Sequence, residues 1–140
     1  MQRDTRLARL LHVLIHMHLR GGATTSETIA QMLHTQPSLV RRTMAALREA
    51  GYVASIPGPK GGWTLCRELA DLTVRDIYVA ITHKSAFAIS AANDNPACPV
   101  ETTVNQVLDA ALSSAEEALL QHLAQIRLSD LAQRAKASAG

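Results

Sequence analysis

The chain has 140 residues, of which 47% are hydrophobic but only 3% aromatic, and it carries a formal net charge of +2. That length supports one domain, or a small domain with an added oligomerisation element, and a core drawn from Leu, Val, Ile, Ala and Met favours helices. Two cysteines in separate segments, Cys66 and Cys98, with no C-x-x-C pair, exclude a disulfide framework and a zinc knuckle.

From about Arg3 to Leu19, the residues Leu7, Leu10, Leu11, Leu14 and His18 share one helical face, and Arg9, His12 and His16 share the other. This run is broken by three histidines and is followed by no small-residue cleavage site. It therefore fits neither a signal peptide nor a membrane span, and a cytoplasmic protein with no membrane partner is expected. His12 and His16 have the i, i+4 spacing of a chelating pair but no acidic or cysteine partner, so an exposed pair and no metal site is expected.

Gly21-Gly22 ends the first helix. Thr24, with Glu27 three residues on, has capping-box spacing for a short second helix whose inner face is Ile29, Ala30 and Leu33. The segment His34-Thr35-Gln36 supplies a turn with no glycine, so His34 is expected at positive φ. Pro37 opens a third helix that buries Leu39 or Val40, Met44 and Leu47 and leaves Ser38, Arg41, Arg42, Thr43 and Arg48 outside. Gly51 stops it. The runs YVASI and GWTLC flank PGPKG and form two short strands around a tight turn.

Beyond Arg67, Thr73 is an N-cap for a fourth helix through Val74, Ile77, Tyr78 and Ile81, expected to pack on the first. Residues 83–99, HKSAFAISAANDNPACP, lose all periodicity and are expected to form an irregular, mobile connection. From Val100 to Ile126 the apolar stripe Val104, Val107, Leu108, Ala111, Ala115, Ala118, Leu119 and Ile126 predicts a long helix that a small domain cannot cover. A second copy of the chain can pair with it. His122 lies on this stripe as a packed interface residue, or as a pH- or metal-sensitive one. SDLAQRA restarts a short helix before a frayed tail.

The stretch from Thr24 to Leu65 thus has the order helix, turn, helix, hairpin, which is that of a winged helix-turn-helix. Residues 1–60 hold eight basic side chains (Arg3, Arg6, Arg9, Arg20, Arg41, Arg42, Arg48 and Lys60) against Asp4, Glu27 and Glu49, a net of +5, whereas residues 61–140 net −3. Net positive charge is therefore confined to the half with the reader, as a polyanion-binding surface requires. The fold class is mainly α with a small β-hairpin. Its expected parts are a DNA-binding domain over 1–82, a regulatory loop over 83–99 and a dimerisation helix with a short C-terminal helix over 100–140.

Taken in order, TSETIAQML, PSLVRRTMAALREAGYV, GPKGGW, LTVRDIYVAI, NPACPV and IRLSDL resemble the Rrf2 family of bacterial winged helix-turn-helix transcription regulators over nearly the whole chain. The resemblance implies a DNA-binding regulator, most simply a repressor, that acts as a homodimer on a double-stranded operator. Two departures stand out. The wing of that family commonly has Arg before a run of glycines, whereas here Pro57 precedes Gly58 and Lys60 replaces a glycine. Members that bind an iron-sulfur cluster carry three closely spaced cysteines before the long helix, whereas this chain has only Cys98 there, so no cofactor is expected.

Arg41 is the candidate base reader, because its fork can bond guanine O6 and N7 together. Ser38, Arg42, Arg48 and Lys60 are candidate phosphate contacts. Cys98 is a candidate redox or electrophile sensor, since the amides of a helix N-terminus stabilise a thiolate, or else a packed small residue in a loop. Cys66, at the end of a wing strand, is expected to be structural. A small-molecule effector is the other candidate signal. The competing function is a winged helix used for protein contacts without sequence-specific DNA binding. No enzyme is expected, since Cys98 has no evident histidine and acid partner and no phosphate loop or metal motif appears.

Overall fold

Leu10, Val13, Leu14 and Met17 recur at three- and four-residue spacing and are buried, so the first helix, α1 (Arg6–Arg20), presents one apolar stripe to the rest of the chain. The computed structural model describes residues 4–81 and 86–139. The expected helix start at Arg3 and the first three residues of the expected loop, 83–85, lie outside them. Expected on the inner face of α1, His18 is instead exposed. Met17, one residue earlier, takes that position at 2% exposure, because the inward row runs 10, 13, 14, 17.

The second helix, α2 (Ser26–Leu33), is capped one residue later than its sequence spacing suggested. The Thr25 hydroxyl, not that of Thr24, accepts from the Thr28 amide at 3.1 Å. Thr24 instead pairs as a β-bridge with Trp63, its amide donating to the Trp63 carbonyl at 2.9 Å and its carbonyl accepting from the Trp63 amide at 2.7 Å. That buries Thr24 to 1% and leaves its hydroxyl without a partner among the described residues.

His34 closes α2 in the left-handed conformation at φ 53, ψ 50, as the glycine-free turn predicts. The third helix, α3 (Pro37–Glu49), buries Val40, Met44 and Leu47. Val40 and not Leu39 is the inward residue, Leu39 being 39% exposed. Gly51 at φ 82 follows the helix, and the Tyr52 amide returns to the Leu47 carbonyl at 3.0 Å.

Strands β1 (Val53–Ile56) and β2 (Gly62–Leu65) are antiparallel, with Val53 opposite Leu65 and Ile56 opposite Gly62. A side chain at Gly61 would collide with the Ile56 carbonyl, so the five-residue turn between the strands closes only around glycine there. A single 3-10 turn, Leu69–Asp71, leads into α4 (Val74–Ile81). There a full capping box forms: the Thr73 amide donates to Asp76 Oδ2 at 2.9 Å and the Asp76 amide to Thr73 Oγ1 at 3.2 Å. As expected, α4 packs on α1, and it also touches α3. Each fully buried aliphatic side chain of this core contributes roughly 1.5–3 kcal/mol of burial.

Residues 86–98 contain no helix or strand, but they run alongside α5 (Pro99–Ala124), tied to it by side chains. Glu101 accepts from the Asp94 and Asn95 amides at 2.9 and 3.2 Å, Asn105 makes two bonds with the Ala92 backbone, and Glu116 accepts from the Ala86 amide at 3.1 Å. Glu116 also accepts from the Tyr78 hydroxyl at 3.2 Å, which links α4 to α5. The 26-residue α5 is about 39 Å long at 1.5 Å per residue. It buries none of its residues.

The last helix, α6 (Leu128–Ala139), turns back and docks Leu128 and Ala132 against α1 and the 3-10 turn. It runs 12 residues, past the short segment expected and into the tail expected to fray. Among the described residues, no helix is long and apolar enough to cross a membrane.

Candidate nucleic-acid interface

The order α2, turn, α3 sets α3 on the outside of the core, its inner row of Val40, Met44 and Leu47 fixed and its outer rows exposed. Ser38, Arg41, Arg42 and Arg48 are all exposed on those rows. Arg41 and Arg48 are seven residues apart, two turns along one face.

A groove of about 380 Å³ runs between α3 and the wing, lined by Arg41, Arg42, Arg48, Ser26, Ser55, Gly62 and Trp63. Three of the five residues singled out from sequence therefore meet in one concavity. Ser38 and Lys60 do not line it. Ser38 sits in the first turn of α3, and Lys60 lies exposed in the wing turn, where the Gly61 amide donates to the Gly58 carbonyl at 2.9 Å.

The floor of the groove rests on a buried bond, Trp63 Nε1 donating to Ser26 Oγ at 3.0 Å. It joins the second wing strand to the first turn of α2. Ser26, Ser55 and Trp63 were not singled out from sequence, because short polar residues and one aromatic carry no periodic signal. The other missed residue is Glu27, whose Oε1 lies 3.3 Å from Arg41 Nη2. Its spacing from Thr24 had suggested a capping partner instead.

Away from the groove, Asp4 accepts from both the Arg6 guanidinium and the Arg6 amide at the start of α1, and these bonds hold its carboxyl down at about 2. Cys98 is the N-cap residue of α5, half-buried, and its thiol makes no capping bond. Cys66 is exposed just past β2. His12 and His16 face each other with ring centroids 4.8 Å apart, and both are exposed, as is His122.

A helix-turn-helix followed by a two-stranded wing, with three arginines converging on the groove between them, defines a DNA-binding regulator of the winged-helix class. The chain belongs to the Rrf2 family of iron-dependent transcriptional regulators, matched over residues 3–134. It is 30% identical over 128 residues to YwnA of Bacillus subtilis, named as an HTH-type transcriptional regulator, covering 91% of this chain and 95% of that one. The same fold is found in T. potens IscR (22% identity, TM-score 0.68, 96% of this chain and 88% of that one). It is found too in CymR, the global cysteine regulator of B. subtilis (23% identity, TM-score 0.67, 96% and 98%).

The family description names iron, but the donors present here do not fit an iron or iron-sulfur centre. Among the described residues, no three His, Cys, Asp or Glu side chains converge, and Cys98 stands without another cysteine in its loop.

Proposed function

We propose that the protein is a cytoplasmic, homodimeric repressor whose two α3 helices read half-sites about one helical turn apart on double-stranded DNA. The observation that carries this is the groove in which Arg41, Arg42 and Arg48 converge between α3 and the wing. Arg41 reads a base edge, and Ser38, Arg42, Arg48 and Lys60 hold phosphates on either side of it. A winged helix used only for protein contacts has no need of three arginines facing one groove.

Pairing rests on α5. Val100, Val104 and Val107 are 70%, 49% and 65% exposed in the single chain and share one stripe with Ala111. A second α5 laid along this stripe covers it and fixes the distance between the two readers. The parts follow from this: residues 1–82 read DNA, 83–99 regulate, and 100–140 hold the dimerisation helix and the short C-terminal helix.

Control is assigned to the same loop. Cys98 sits where the loop enters α5, and Glu116 joins the loop to α4, so modification of Cys98, or a small ligand bound against the loop, shifts α5 relative to the reader and spoils the half-site spacing. Duplexes enriched from a random pool, titrated at several salt concentrations with and without oxidant, test the proposal. Two chains per duplex, an affinity that falls steeply with salt, and oxidant sensitivity lost in Cys98→Ser are expected. Salt-independent binding contradicts DNA reading, and equal oxidant sensitivity in Cys98→Ser removes Cys98 as the sensor.

A further inference from the structure

Of the three arginines in the groove, Arg41 alone forms an ion pair among the described residues, and that pair crosses the turn from α2 to α3. Arg41 Nη2 lies 3.3 Å from Glu27 Oε1, with side-chain exposures of 57% and 64%. Glu27 is available for this contact because Thr25 already caps α2 by accepting from the Thr28 amide. Its place in the first turn of α2 also suits a carboxylate, which the helix dipole favours there. The acid thus stands beside the one arginine assigned to base reading, while Arg42 and Arg48 form no ion pair among the described residues.

We infer that Glu27 is a specificity-determining residue that withholds Arg41 from the phosphate backbone and orients its guanidinium for a base edge. This rests on the assignment of Arg41 as the base reader. An arginine has five N–H donors in a planar fork, and one bond from Nη2 to Glu27 leaves enough of them to engage guanine O6 and N7 together. Pairing with a phosphate is different, because it brings a second anion up to the Glu27 carboxylate, whereas a guanine edge is neutral. Base reading is therefore compatible with the Glu27 contact, and indiscriminate backbone binding is opposed by it. Discrimination is a difference of two affinities, and an element that weakens the wrong complex raises it as surely as one that strengthens the right complex.

The test compares wild type, Glu27→Gln, Arg41→Ala and the double variant on an enriched operator duplex and a scrambled duplex of equal length, across a salt series. Glu27→Gln is expected to tighten scrambled-duplex binding about two- to fivefold, the range of an exposed ion pair. It should also steepen the scrambled-duplex salt slope by about one, as Arg41 gains a phosphate, with operator affinity changed less than about twofold. On an Arg41→Ala background, Glu27→Gln should do neither. An unchanged slope and ratio in Glu27→Gln, or the same change with Arg41 absent, overturns the role of Glu27. Full discrimination retained in Arg41→Ala with Glu27 intact instead overturns the base-reader assignment itself.

Discussion

Trp63 Nε1 donates to Ser26 Oγ across a buried distance of 3.0 Å, and this bond makes the wing and the helix-turn-helix one unit. Beside it, the Thr24 and Trp63 backbones exchange two hydrogen bonds, so a single β-bridge ties the residues just before α2 to the wing. A groove bounded by α3 on one side and β2 on the other keeps its width only if those elements cannot move apart.

Removing the acceptor leaves the indole N–H of Trp63 buried without a partner. Ser26→Ala should therefore lower the stability of the chain by about 1–3 kcal/mol. Trp63→Phe in the same background should add less than it does alone, because the unpaired donor goes with the indole. Urea unfolding of the two single variants and the double one measures this coupling.

His34 adopts φ 53, ψ 50 in the turn, where a Cβ is strained. His34→Gly relieves that strain, partly offset by the greater freedom of glycine in the unfolded chain, and should raise stability by about 0.5–1 kcal/mol. A higher thermal midpoint with unchanged DNA affinity is the expected outcome. A lower midpoint would mean that the imidazole contributes more than its backbone costs.

Positive φ at His34 was legible because a helix-turn-helix needs a left-handed residue where this sequence offers no glycine. Helix α3, the bounds of the two wing strands to within one residue and the long α5 were legible for the same kind of reason: Pro37, Gly51 and an apolar stripe each have a single physical use. What sequence reasoning missed depended on tertiary competition. Local spacing favours Thr24 as the cap, with Glu27 three residues on, but the pairing of Thr24 with Trp63 leaves the cap to Thr25. That decision releases Glu27 to meet Arg41, a contact spanning 14 positions that no local spacing encodes. The ties from Glu101, Asn105 and Glu116 to the loop beside α5 span 7, 13 and 30 positions and leave no pattern in a stretch of small residues.

Val107 is 65% exposed on α5, so a charge there costs the single chain almost nothing. In a dimer built on that stripe, Val107→Glu buries two carboxylates without partners. Dimer affinity should fall by at least about tenfold while the thermal midpoint of the diluted monomer stays the same. Light scattering across a concentration series separates the two effects, and an unchanged dimer would place the interface on another face.

Binding of wild type and Arg41→Ala to an enriched operator and to a scrambled duplex, at matched salt, is the decisive comparison. It is expected to show operator affinity weakened by about 1–3 kcal/mol and the preference for the operator base at that position relaxed. Equal discrimination by the two proteins would contradict the assignment of α3 as the element that reads the sequence through Arg41.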